Sequence, residues 1–196
     1  MIYINFYTQY VYDASGQKVS KNVIKCEFQD RQQVTLVNNT AQYIYEDGVL
    51  KFISQPEGYS VYNNGVFDYI YQYKDHLGNV RLSYGDADKN GSVNIAEIVE
   101  ENNYYPYGLK HKGYNSVSTS TNPALKYKYS GKELQDELWL NLYYYGTRNY
   151  DPALGRWINI APLIDKMRRF SPYNYALAFL NLLNTHQKSN KIFFFI

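Results

Sequence analysis

The chain has 196 residues, 45% of them hydrophobic, and a net charge of +2. That length suits one or two ordinary domains, and the near-neutral balance points neither to nucleic acid nor to an acidic partner. Cys26 is the sole cysteine, which excludes an internal disulfide framework and a cysteine-based zinc site.

The opening string MIYINFYTQYVY alternates apolar and polar residues, as a half-buried strand does. It lacks the basic start and continuous apolar core of a secretory signal. Nothing approaches the ~20 apolar residues of a membrane helix, and the closing KIFFFI is far too short to span a bilayer. No membrane span is expected. Residues 1–25 read as a hairpin turning at Asp13-Ala14-Ser15-Gly16. Segments 33–37 and 42–45 read as strands, with turns at Asn38-Asn39 and Glu46-Asp47-Gly48. Turns follow at Pro56-Glu57-Gly58 and Asn63-Asn64-Gly65, the latter a strong two-residue hairpin signal. Strands over 69–74 and 79–84 flank Asp75-His76-Leu77-Gly78.

After Tyr84 comes a polar insertion, residues 85–97, then another expected strand over 98–105. Residues 106–122 are loop-rich and end in a Ser/Thr low-complexity run. A short turn of helix is expected around 132–137 and a strand over 138–145. Short helices are expected over 162–170 and 176–183. The remaining tail, 184–196, has no periodic support.

The 24 tyrosines organise this succession. They come as Y-x-Y pairs followed by Asp and Gly: Tyr10 and Tyr12 before Asp13 and Gly16, Tyr43 and Tyr45 before Asp47 and Gly48, Tyr71 and Tyr73 before Asp75 and Gly78. A Y-x-Y pair in a strand puts both rings on one face. D-x-x-G suits a type I turn, with Asp first and Gly fourth. The repeated unit is an aromatic strand feeding a tight hairpin, which builds a large β-structure rather than an active site. The rings could also offer a sugar-stacking surface, but tyrosine packs equally well across a half-buried sheet.

One insertion carries a sharper motif. Residues 86–97 fit the calcium-loop pattern D-x-[DN]-x-[DN]-G-x5-E in full. Asp86, Asp88 and Asn90 would offer side-chain oxygens, Ser92 its carbonyl, Asn94 a water-mediated contact and Glu97 a bidentate carboxylate. The competing reading is a polar hairpin excursion whose Asp, Asn and Gly are ordinary turn residues. Strands rather than helices flank the motif, unlike an EF-hand. His76, His111 and His186 lie in unlike contexts with no paired spacing, so no histidine metal site is expected. No G-x-S-x-G elbow or phosphate loop is present. Lys110, His111 and Lys112 form a small basic cluster that reads as a solvated loop, and no nucleic-acid partner is expected.

Three strings carry a family resemblance: DHLGNVRLSY (75–84), NNYYPYGLKHKGYN (102–115) and YKYSGKELQDELWLNLYYYGTRNYDPALGRWINIAP (127–162). They resemble the RHS repeat-associated core domain of the RHS/YD-repeat family, in the version typical of Bacteroidetes. The resemblance implies YD-repeat-like hairpins over 1–41, the core domain over 42–176 and a divergent tail that reads like a frameshift over 177–196. It implies a mainly β fold: consecutive antiparallel hairpins of an RHS/YD-repeat shell, with short helices in the C-terminal third.

In larger members of that family the shell encloses a C-terminal toxin or effector, and some members release it with an aspartate-based autoprotease. The resemblance therefore implies a secreted or cell-surface setting. It makes upstream repeats and a C-terminal effector domain the expected partners, with self-association through sheet edges. The chain departs from the family at the protease. The R-x-Y-D-P-x-x-G-R-W segment is present from Arg148 to Trp157, but the following D-P is Ala161-Pro162, and Asn149 replaces another frequent Asp. An aspartic mechanism needs two carboxylates sharing a proton. Asp151 survives, and a second acid would have to come from elsewhere, for example Asp165. The expected function is that of a non-catalytic structural fragment of a shell. A residual autoprotease region and an extracellular glycan-binding or adhesion module stand as alternatives.

Overall fold

A computed structural model describes residues 4–27, 30–40, 42–63, 65–113, 120–162 and 171–175. The alternation of aromatic and β-branched residues between tight turns becomes a ribbon of hairpins. Strands β1 (Ile4–Tyr12), β2 (Lys18–Glu27), β3 (Asp30–Thr40), β4 (Tyr43–Glu46) and β5 (Val49–Gln55) come first. Strands β6 (Gly58–Asn63), β7 (Val66–Lys74), β8 (Val80–Tyr84) and β9 (Ile98–Glu101) follow. All nine form one antiparallel sheet in strict sequence order. A second, four-stranded sheet comprises β10 (Glu133–Gln135), β11 (Leu142–Tyr144), β12 (Asn149–Asp151) and β13 (Arg156–Trp157), again in order. The described residues contain no α-helix, only short 3-10 turns.

The Asp-Gly turns repeat atom for atom. The Asp13 carbonyl accepts from Gly16 N at 3.0 Å, and its carboxylate accepts from the backbone of Ser15 and Gln17. Asp75 does the same: its carbonyl takes Gly78 N at 2.9 Å and its carboxylate takes Leu77 N and Asn79 N. An aspartate at the first position satisfies two turn amides that the ladder cannot reach, while glycine takes the positive φ (80° at Gly16, 79° at Gly78). At Asp47-Gly48 both central residues have positive φ, as a type I′ hairpin requires. Register shifts at Val11/Tyr12, Val23/Ile24, Ile44/Tyr45, Tyr73/Lys74 and Ser83/Tyr84 bend and twist the ribbon.

Two cores result. Ile44, Phe52 and Tyr59 of the large sheet pack with Ala124 and Leu125, which lie on a 3-10 turn begun by Pro123 and capped by Asn122. Tyr129, Tyr143, Tyr150 and Trp157 form the second core, under the small sheet. At Gly58 the strands are so close that a Cβ would sit 1.9 Å from the Ile70 carbonyl oxygen, so no side chain fits.

The mainly β, hairpin-by-hairpin expectation holds, with four local corrections. Asn38 and Asn39 do not turn: they lie in β3 opposite Tyr45 and Ile44, because the ladder runs on to Thr40 and overrides asparagine's turn preference. The helix expected over 132–137 is instead strand β10, with the side chains of Glu133 and Gln135 both buried. The strand expected from 138 starts only at Leu142, since left-handed φ values at Leu138, Trp139 and Asn141 break extension. The strand expected over 98–105 ends at Glu101, leaving Tyr104 in an isolated bridge with Lys110. The helices expected within 162–170 and 176–183 fall outside the described residues, apart from Pro162 in a turn.

Candidate functional site

The 85–97 insertion leaves the large sheet between β8 and β9 and ends on a 3-10 turn, Ile95–Glu97. Asp86, Asp88 and Glu97 converge, each offering a carboxylate oxygen within 4.8 Å of the others. The loop is wrapped by its own backbone. Asp86 accepts from Asn90 N at 3.0 Å and Gly91 N at 2.8 Å, and the amide of Gly91 chiefly holds its carboxyl below the usual range. Glu97 accepts from Ala87 N at 2.8 Å and, through its other oxygen, from Asn94 N at 2.9 Å. The last contact closes a capping box, in which Asn94 Oδ1 accepts from Ala96 N. Asn90 Oδ1 accepts from Ser92 N while its amide nitrogen donates to Asp88. The sequence-derived set is thus brought together in its three carboxylates. The Asn90 and Asn94 oxygens are engaged by backbone amides instead.

Asp151 plays another part. Its carboxylate accepts from Ala153 N at 2.8 Å and Leu154 N at 3.1 Å, tying the turn between β12 and β13. Asp165 lies outside the described residues. The basic cluster is also partly committed: Lys110 pairs with Glu100 at 3.1 Å, and the His111 ring stacks on Tyr105 at 3.9 Å. The aromatic surface offers Tyr62 and Phe67 tilted at 48°, and a more parallel pair, Tyr71 and Tyr84, 5.8 Å apart at 21°.

Sequence reasoning missed a buried ion network. Lys18 and Lys21 of β2 both reach Glu133 of β10, and Lys21 also reaches Glu137 at 2.6 Å. Lys126 joins Glu137 and Asp136, each at 2.8 Å. A second node joins Glu100 of β9 to Lys128 and Lys110. Burial alone would raise these carboxyls. The Lys21 and Lys126 ammoniums outweigh it and hold Glu137 at about 2. Lys21 and Lys18 likewise hold Glu133 down, and Lys128 does so for Glu100. Each node bridges segments more than 25 residues apart, which is why spacing gave no signal. The alternation of Lys18 with Ser20, and of Glu133 with Gln135, was the only trace, and it reads equally well as solvent-facing polarity.

These features define a class: a ribbon of consecutive hairpins with a tyrosine-packed small sheet docked on it through ion pairs. No protein-family model matches the chain. The fold is similar to that in the crystal structure of TcdB2-TccC3-TEV, with a TM-score of 0.57 and 22% identity over 79% of this chain and 8% of that one. The structure of TcdB2-TccC3 gives 0.56 and 21% over the same shares. In sequence, the chain is 29% identical over 143 residues to Salivary gland surface protein 1 of Aedes aegypti, covering 71% of this chain and 3% of that protein. The chain therefore spans a small part of each relative. The shared feature is the architecture, an RHS-like β-shell fold.

Proposed function

We propose that the chain is a non-catalytic structural portion of an RHS-type β-shell that encloses or presents a C-terminal effector, outside the cell or at its surface. The observation that carries this reading is the docking of the small tyrosine-rich sheet onto the hairpin ribbon through the ion pairs of Glu133. A sheet that only enlarges by adding hairpins has no floor, and the small sheet supplies one. The surface designation of the Aedes relative agrees with that setting. The Asp151 carboxylate is spent on turn amides, which supports a role without self-cleavage. The test uses an antibody to this chain on producing cells. A polypeptide far larger than 23.0 kDa, with an effector segment protected from protease until the shell is unfolded, is expected. Detection of a 23.0 kDa species alone would overturn the enclosing role. Purified chain should stay a single band from mildly acidic to neutral pH; specific cutting lost in Asp151→Asn would instead establish the autoprotease.

A second reading concerns calcium at the insertion, favoured by the convergence of Asp86, Asp88 and Glu97 within 4.8 Å. Hard oxygen donors carrying three negative charges suit Ca²⁺. Strand flanks order the loop less than a helix pair would, so the affinity belongs with the ~10⁻⁴–10⁻³ M of extracellular modules. Calorimetric titration should show heat that Glu97→Ala abolishes. No heat at millimolar calcium in folded protein retires the site.

A further inference from the structure

The small sheet meets the ribbon along two seams of unlike chemistry. At the β2 seam the joining groups are charged. Glu133 takes both Lys18 and Lys21, while Glu137 takes Lys21 at 2.6 Å and Lys126 at 2.8 Å. Lys126 also holds Asp136. Lys18, Lys21 and Glu133 are buried, whereas the Glu137 side chain keeps 15% exposure and meets solvent protons directly. A cavity of ≈ 20 Å³ between Lys21, Lys126, Glu46 and Glu133 has room for one water, which gives Glu133 the same access. Tyr10 stacks on Tyr144 across this seam at 6.1 Å, Lys18 lies 4.1 Å over the Tyr144 ring, and Tyr127 bridges to Glu133. At the β8 seam most joining groups do not titrate in acid. Ser130 N donates to Asn79 Oδ1 at 2.8 Å, Val80 N to the Lys128 carbonyl at 3.0 Å, and the Tyr150 hydroxyl to the Tyr107 carbonyl at 2.8 Å. Glu100, paired with Lys128 and Lys110, is the exception there.

We propose that the β2 seam is an acid-operated latch: protonation of Glu133 and Glu137 releases the small sheet from β2, and the sheet swings on the β8 seam with its ring core intact. The neutralised carboxyls leave Lys18, Lys21 and Lys126 as neighbouring ammoniums, two of them buried, so repulsion and an unpaired-charge cost replace attraction. The phenols of Tyr10, Tyr127 and Tyr144 are neutral in acid. Protonating Glu46 or Asp136 only removes further negative charge from beside the same lysines. The ammoniums hold both carboxyls of the latch below their ordinary range in the closed form. The closed form is therefore fully favoured above about 4.5 and loses ground as pH falls toward about 2. Tyr129, Tyr143, Tyr150 and Trp157 keep their charge state over that range and stay packed. This inference concerns the joint between the two sheets and not the shell role, which the antibody experiment tests separately.

Pulsed electron paramagnetic resonance on the full chain reads the joint, with Cys26→Ser and nitroxide labels at exposed positions. Val49→Cys on the ribbon with Trp139→Cys on the small sheet reports across it. Leu154→Cys with Trp139→Cys reports within the small sheet. Between pH 4.5 and about 2 the first distance should lengthen and broaden while the second holds and the far-ultraviolet β spectrum persists. Glu133→Gln combined with Glu137→Gln makes the seam neutral at every pH and should give the long distance already at pH 7, with no further response to acid. Should that double variant fail to fold, the acid titration of the labelled parent decides alone. A first distance constant down to pH 2, both distances lengthening together, loss of the β spectrum in step with opening, or a folded double variant that stays closed at pH 7 would each overturn the proposal.

Discussion

The large sheet and the small one use the same residue for opposite purposes. In the large sheet tyrosine is mostly a coat: Tyr43, Tyr62, Tyr71 and Tyr73 are 45%, 42%, 42% and 63% exposed. In the small sheet it is the core, with Tyr143 and Tyr150 at 1% and 0%. The difference lies in layering and in where the hydroxyl goes. A wet face leaves the hydroxyl to solvent. Burial demands a partner, and Tyr150 donates to the Tyr107 carbonyl at 2.8 Å while Tyr104 donates to that of Val80 at 2.9 Å. The large sheet is therefore held by its backbone ladder and a modest apolar patch. The small sheet is held by interlocked rings, including Tyr150 against Tyr175 at 3.9 Å.

That contrast breaks most sharply by truncation. Tyr150→Ala should cost ~3–5 kcal/mol, as for other large buried rings. Tyr73→Ala on the large sheet should stay within about 0.5 kcal/mol, since it is a surface change. Urea denaturation of both variants checks the pair, and equal losses would show that the sheets do not divide the work as described.

The join between the sheets gives the next effect. Glu133→Gln leaves the Lys18 and Lys21 ammoniums, both buried, without their shared carboxylate. Breaking a buried pair from one side costs ~3–5 kcal/mol. Glutamine keeps the shape and some hydrogen bonding, which places this variant near the lower end. Replacing Lys18, Lys21 and Glu133 together with apolar residues of similar volume should recover much of the loss. A Glu133→Gln variant as stable as the parent would mean the network is not what joins the sheets.

The same network sets a pH dependence. Glu137 is held at about 2 against an ordinary 4.5. A depressed carboxyl contributes stability that is fully present above its unfolded value and is lost as pH falls through the folded one. Stability should therefore be level down to about 4.5 and decline toward 2, by ~3 kcal/mol from this group. Glu133 and Glu100 are shifted in the same direction and add to the decline. In Glu137→Gln the acid limb of a melting-temperature profile should be shallower. A profile unchanged from the parent would remove Glu137 from the account.

Much of the ribbon was legible because its signals are local. Asp13 to Gly16 and Asp75 to Gly78 specify their turns within four residues, and alternation marks the strands between. The gathering of Asp86, Asp88 and Glu97 was legible for the same reason. What was not legible is decided across the fold. Asn38 and Asn39 are held extended by Tyr45 and Ile44. The lysines that make β10 a buried strand come from β2, over 110 residues away. Charged residues at 132–137 look helical on their own, and only distant partners reveal them as inward-facing.

The smallest expected effect lies at the tip of the β10–β11 hairpin. Trp139 is 92% exposed, with φ at +63°. A left-handed conformation costs an L-residue ~1–2 kcal/mol. An exposed ring returns little packing against that cost. Trp139→Gly removes the left-handed penalty but gives the unfolded chain more freedom, which offsets it by ~0.5–1 kcal/mol. The net should lie between no change and a gain of ~1.5 kcal/mol, while Trp139→Ala, which keeps the penalty, should change stability by less than about 0.5 kcal/mol. The two substitutions separate backbone from side chain at one position. A loss above ~1 kcal/mol in both, measured by urea denaturation, would show that this ring is part of the small sheet's packing and not of its surface.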